Sequence, residues 1–308
     1  MGFGGNDQNG GGAAAGPELR IKKFDMNMVT PGKIVVLIGK RDTGKSFLVR
    51  DLLYHHRDTP VGTVVSPTER VNKFYRKFVP SLLIHDEFSP ELMRNVVRRQ
   101  DIVTNKKVKE VTRVGSSAID NRSFLILDDC LFDNSWTKDR NIRLMFMNGR
   151  HYNTLFLITM QYPLGIPPAL RTNIDFVFIL RENIVRNRRI IYENFAGMVD
   201  SFSDFCKIMD NCTEDYECLV IHMNSKSNSL TDQIFWYKGS ERPEFAMCDR
   251  SIWSVSDQAD DVCGGGMMDD SAEEDDEDEY DYQLQDAAAL RGRGGRNAAP
   301  PLTVKKMG

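Results

Sequence analysis

Eight residues, Gly39-Lys40-Arg41-Asp42-Thr43-Gly44-Lys45-Ser46, stand between a run of five aliphatic side chains and a stretch whose apolar residues recur at helical spacing. No other feature constrains the chain as tightly. The run 34–38 has the length and β-branched content of a buried strand, and Phe47, Leu48, Leu52 and Leu53 make a helical pattern after it. The glycines let the backbone turn sharply between the two, so that successive N–H groups and the first helical turn face one point. Such a cradle takes an anion, and the pattern GxxxxGK[ST] takes a phosphate chain. Lys45 would reach the β and γ phosphates and the Ser46 hydroxyl would hold Mg2+. The expected contacts of a bound ATP are Gly39, Lys40, Arg41, Asp42, Thr43, Gly44, Lys45, Ser46 and, one step into the helix, Phe47.

The rest of the central chain repeats the same alternation. Short apolar runs at 33–38, 61–66, 82–85, 123–127, 154–160 and 175–180 are separated by longer polar or helical stretches, which is the pattern of a parallel α/β sheet with helices on both faces. Later runs at 216–222 and 234–237 extend the sheet, with an antiparallel edge as one option. Helices are expected after Gly44, around 90–99, around 137–147 and across 183–195. No internal repeat is present.

A second motif, Phe124-Leu125-Ile126-Leu127-Asp128-Asp129, is a buried strand that ends in two carboxylates. In a phosphate-loop enzyme the first, Asp128, holds Mg2+ through its water shell and the next, Asp129, can polarise the attacking water. The distance in sequence from Lys45 leaves room for two intervening strand–helix units, so the strand that bears the acids need not lie beside the strand that bears the loop. A third strand, 154–160, ends in Gln161 at the edge where parallel sheets bind ligands. Gln161 could contact the γ-phosphate or the water, or simply cap the strand.

Charge separates body from tail. The chain of 308 residues carries a net −4, but from residue 257 onward fourteen acidic residues stand against five basic ones, so everything before is positive by five. Residues 1–17 are glycine-rich and are expected to form a flexible leader, residues 18–253 the folded domain, and 254–308 a disordered acidic and then Arg/Gly-rich tail. A hydrophobic fraction of 41% excludes disorder of the whole. No apolar run approaches the length of a membrane span, and the N-terminus has no secretory pattern. Six cysteines without metal-ligand spacing point to free thiols in a reducing compartment.

Taken together, residues 39–46, the Asp128-Asp129 strand end, Asn148-Gly149-Arg150-His151-Tyr152-Asn153, the strand ending in Gln161, and Pro168-Ala169-Leu170-Arg171 resemble the poxvirus-type DNA-packaging ATPases of nucleocytoplasmic large DNA viruses, within the FtsK–HerA superfamily. The resemblance covers 34–222. It implies a RecA/FtsK-like P-loop sheet with an additional strand between the loop strand and the acid strand. It further implies Mg2+-dependent ATP hydrolysis in a homo-oligomeric ring that moves double-stranded DNA into a capsid, with a capsid or packaging-vertex protein as partner. Its setting would be the host-cell cytoplasm at the virus factory, with the virion as an alternative. The superfamily's usual catalytic Glu is matched here by Asp129, whose shorter side chain must sit closer to the water.

In such rings a neighbouring subunit supplies an arginine to the transition state. Arg150 and Arg171 are the candidates, Arg150 the preferred one. Two basic segments, 94–109 and 181–189, could grip phosphate backbone as loops repeated around a pore, without reading sequence. Two other functions share the loop: a P-loop kinase of a nucleotide or small acceptor, with 181–189 as its lid, and a nucleotide-dependent assembly factor that hydrolyses little. The stretch 148–153 and the Gln161 strand end favour the motor.

Overall fold

In a computed structural model, residues 18–130, 134–162, 165–264 and 302–307 are described. Ten strands occur among them: β1 (Glu18–Lys23), β2 (Ile34–Ile38), β3 (Gly62–Val65), β4 (Ile84–His85), β5 (Ser123–Asp128), β6 (Thr154–Met160), β7 (Phe176–Ile179), β8 (Glu217–His222), β9 (Ile234–Lys238) and β10 (Thr303–Lys306). The helices are α1 (Lys45–His55), α2 (Glu69–Asn72), α3 (Pro90–Val114), α4 (Arg140–Asn148), α5 (Pro168–Arg171), α6 (Val185–Phe195), α7 (Phe202–Cys212) and α8 (Arg250–Gly264).

One sheet holds all ten strands in the order β10-β1-β9-β8-β7-β2-β6-β5-β3-β4. Only β8 runs against the others. The antiparallel strand therefore lies inside the sheet, because β9, β1 and β10 continue beyond it. Strand β6 sits between β2 and β5, so the loop strand and the acid strand are not neighbours. This is the additional-strand arrangement of a P-loop NTPase fold.

Strand periodicity explains why both faces are covered. Along β2, Ile34, Val36 and Ile38 enter one core with residues of α3, α4, α6 and α7, among them Val96, Ile142, Ile191 and Phe205. Val35 and Leu37 enter the other, against Leu48, Leu52 and Leu53 of α1 and the rings of Phe24, Phe176 and Phe178. Every residue of β2 is buried, which is what a continuous aliphatic run needs to be stable in water. Phe24 sets its edge against Phe176, Phe178 and Phe235 at centroid distances of 5.3 to 5.6 Å, tying β1's exit to the sheet.

Several expectations need correction. Residues 254–308 are not wholly outside the fold: α8 continues to Gly264, its Ser256 hydroxyl bonding Ser81, and β10 adds a strand in parallel with β1. Apolar contacts of Leu302 and Val304 and a Trp236 Nε1 hydrogen bond to the Met307 carbonyl (2.9 Å) hold β10 in place. The leader 1–17, the acidic run 269–281 and the Arg/Gly stretch 291–296 lie outside the described residues. The basic segment 94–109 is not a loop but the middle of the 25-residue helix α3. Within it Arg99 turns inward to the Gly62 carbonyl (3.2 Å), and burial lowers its pKa, so it is not a surface cation. No described helix is long and apolar enough to cross a membrane.

Candidate active site

Because β2, β3, β5, β6 and β7 are parallel, their C-terminal ends form one edge, and the three sequence motifs meet there. The loop leaves β2 at Gly39, whose N–H bonds the Met160 carbonyl at the end of β6 (3.0 Å). A side chain at Gly39 would collide, since a Cβ would lie 2.6 Å from Leu180 Cδ1 and 2.8 Å from Thr43 Oγ1. Gly44 has φ +91°, a left-handed conformation that favours glycine, and it precedes α1 without any side-chain cap. The first N–H groups of α1 are thus left to an incoming anion.

Lys45 reaches across the edge to the acid strand. Its Nζ lies 2.5 and 2.6 Å from the two carboxylate oxygens of Asp129. Asp129 has φ +51° and receives further bonds from Gln161 Nε2 (3.1 Å) on its carboxylate and, through its own N–H, reaches Thr159 Oγ1 (3.1 Å). Asp128, one residue earlier, accepts from Thr159 Oγ1 (2.5 Å) and Ser66 Oγ (3.1 Å). Burial pushes the Asp128 carboxyl above its ordinary pKa, opposed by the Thr159 bond and reinforced by the neighbouring Asp129. Tyr75 is fully buried beside it, and burial together with the Asp128 charge pushes its phenol pKa up.

The residues fit a phosphate-bound Mg2+. Ser46 stands in the first turn of α1 with its hydroxyl engaged by no described group, and Asp128 is a desolvated carboxylate that a cation would relieve. Among the described residues no group of three or more His, Cys, Asp or Glu could hold a metal by itself, so phosphate oxygens and water would complete the shell. Mg2+ would there screen the phosphate charge.

The remaining candidates lie elsewhere. Arg150 is at the opposite edge, in the turn from α4 to β6, where its Nη2 bonds Asp175 Oδ1 (3.1 Å) beside Lys33. It does not join the loop of its own chain. Arg171, at the end of α5, bonds Asn194 and faces the Phe195 ring. The segment 181–189, in contrast, adjoins the loop, because Lys40 pairs with Glu182.

Two functional supports, Ser66 and Thr159, were not anticipated from sequence. Thr159 carried a signal, a hydroxyl inside the otherwise apolar run 154–160. Ser66, one residue beyond β3, carried none.

No family model matches the chain. The uncharacterized protein L437 of Acanthamoeba polyphaga mimivirus is 38% identical over 226 residues, covering 73% of this chain and 79% of that protein. The uncharacterized protein 075L of Invertebrate iridescent virus 6 is 38% identical over 231 residues, covering 72% and 84%. Among solved structures, the genome packaging NTPase B204 of Sulfolobus turreted icosahedral virus 2 in complex with AMP aligns with a TM-score of 0.46 at 14% identity, over 68% of this chain and 99% of that one.

Proposed function

The chain belongs to the family of nucleocytoplasmic large DNA virus proteins that includes L437 of mimivirus and 075L of Invertebrate iridescent virus 6, and from that premise we propose that it is an ATPase whose turnover drives double-stranded DNA into a capsid. One observation carries the proposal: Lys45, from the loop that follows β2, Asp128 and Asp129, from the end of β5, and Gln161, just past β6, converge at a single sheet edge.

Each group then has a task. Lys45, now neutralised by Asp129, exchanges that partner for the γ-phosphate. Asp129 is thereby released to accept a proton from the attacking water, which Gln161 orients. Ser46 and Asp128 are the residues that would hold Mg2+. Thr159, bonded to both Asp128 and Asp129, fixes their relative position. DNA contact falls to Arg181 and Arg186, exposed beside the loop, and to the cations of α3, which would grip backbone without reading bases. Copies arranged in a ring sum these contacts, and Arg150, which does not reach its own loop, serves a neighbour's. The setting is the host-cell virus factory, with a capsid or packaging-vertex protein as further partner.

The test is ATP hydrolysis by the purified protein with and without linear duplex DNA, at rising salt. Duplex of any sequence should raise turnover, with the effect fading as salt increases. Lys45→Ala and Asp129→Asn should both abolish turnover, the latter while still binding ATP. Turnover indifferent to DNA at low salt refutes the motor; phosphate transfer to a nucleotide acceptor would replace it with a kinase.

A further inference from the structure

Two aromatic rings stand exposed beside the phosphate loop, on the flank away from the carboxylates. Phe47, two residues beyond Lys45, is 43% exposed, and Tyr216, in the turn that joins α7 to β8, is 71% exposed. A single exposed ring is ordinary on a protein surface, so exposure alone decides nothing. Position decides. Asp215 and Tyr216 both adopt left-handed backbone, with φ of +48° and +62°, which Asp tolerates but which is unfavourable for a bulky aromatic residue and persists there only where the surroundings impose it. The turn carries the Tyr216 ring onto the loop: a Cβ on Gly44 would lie 3.2 Å from Tyr216 Cδ1.

Phe47 is set by the same hairpin. Glu217 of β8 pairs with Lys238 of β9, so Tyr216 and Gly239 leave the hairpin at one end. A Cβ at Gly239 would lie 3.0 Å from Phe47 Cδ1, so glycine is what admits the Phe47 ring there. Neither ring stacks on an aromatic or cationic side chain among the described residues. Both keep a face without a partner.

The polarity of the site gives these faces a use. Lys45 leans toward Asp129 on the β6–β5 side, so the terminal phosphate lies on that side of the loop. The nucleoside must then leave on the other side, toward β8 and β9, where the two rings stand. We propose that Tyr216, with Phe47, forms the stacking platform for the base of the bound nucleoside triphosphate. The inference rests on the nucleotide-binding role of the loop. Stacking on an aromatic ring uses the π-face that every base has, and its removal weakens binding about ten- to a hundredfold.

The experiment measures, by calorimetry on the full chain, affinities for ATP and for inorganic tripolyphosphate. Tripolyphosphate presents the phosphates without a base. Tyr216→Ala should lose about tenfold in ATP affinity while tripolyphosphate binds as to wild type, and Tyr216→Phe should keep both. Retained tripolyphosphate binding also shows that the loop of the variant is folded. The proposal is overturned if Tyr216→Ala binds ATP as tightly as wild type, or loses ATP and tripolyphosphate in equal measure. A wild-type protein that binds neither compound fails at the loop itself, and the platform falls with it.

Discussion

Lys40 Nζ lies 2.7 Å from Glu182 Oε1, so an ion pair joins the phosphate loop to the segment that opens the basic helix α6. Glu182 is 5% exposed and does more than neutralise Lys40. Its carboxylate accepts from the Ile184 N–H (2.7 Å) and Asn187 Nδ2 (2.9 Å), and its carbonyl from Arg188 Nε (2.6 Å). Burial pushes its carboxyl upward, but the Lys40, Ile184 and Asn187 bonds outweigh this and hold it below the ordinary range. An anion in the loop competes for Lys40 and so acts on the frame that presents Arg181 and Arg186.

Glu182→Gln should therefore weaken the link between the two halves more than either half. Basal ATP turnover should persist, while stimulation by duplex DNA should fall about 2- to 30-fold, the range of typical coupling energies. Parallel titrations of turnover with ATP and with DNA measure both. Equal loss of basal and stimulated turnover would assign Glu182 to the loop alone.

Arg150→Ala should fold, because the buried Asp175 keeps Lys33 Nζ (3.0 Å), the Ile34 N–H (3.0 Å) and Asn224 Nδ2 (3.3 Å) as partners. The pure variant should bind ATP but hydrolyse it about a thousandfold more slowly, with partial recovery when mixed with Lys45→Ala subunits. Normal turnover by the pure variant would remove Arg150 from the active site of any neighbour.

Asp128 presents a stability cost that function requires. Its carboxyl is held above the ordinary pKa by burial, so its favourable contribution is complete below the unfolded value and is lost as pH rises through the folded one. Asp128→Asn should raise the stability of the nucleotide-free protein at pH 7, an advantage that shrinks as pH falls toward the ordinary carboxylate range, while abolishing Mg2+-dependent turnover. Melting curves at pH 7 and in that range, compared with wild type, check the sign.

His56 gives the opposite pH dependence. The ring is buried, its Nε2 has no hydrogen bond, and burial, helped by His55, lowers its pKa to about 4. Its contribution is present above about pH 6.5 and lost as pH falls through about 4, a loss of about 2 kcal/mol between pH 7 and pH 5. His56→Phe should remove that part of the acid sensitivity, narrowing the drop in Tm by about 4 to 8 °C.

What could be read in sequence was whatever a single period or motif fixes. The loop, its flanking strand and α1 are local, and the apolar runs 124–127 of β5 and 155–158 of β6 admit only a buried position. β1 is hard to read in the sequence because Glu18–Lys23 alternates charged and apolar side chains and buries only Leu19 and Ile21. α7 did carry a signal, Ser201 capping the Asp204 N–H (3.0 Å), three residues apart as a helix start requires. The site was legible as far as its motifs extend. That Arg99 turns inward and that Tyr216 folds over Gly44 depend on packing between segments distant in the chain, which no local pattern encodes.

The two ends of the sheet limit how copies of this chain can meet. At one end β4 has two residues; at the other, β10 bears the exposed Lys305 and Lys306. Neither offers the long, uncharged ladder of N–H and C=O groups on which another chain's strand could add. Copies that associate through the described residues would therefore do so by side chains rather than by a shared strand. A joint of that kind can be broken and remade at each turnover, whereas a sheet shared between subunits would weld them into one body.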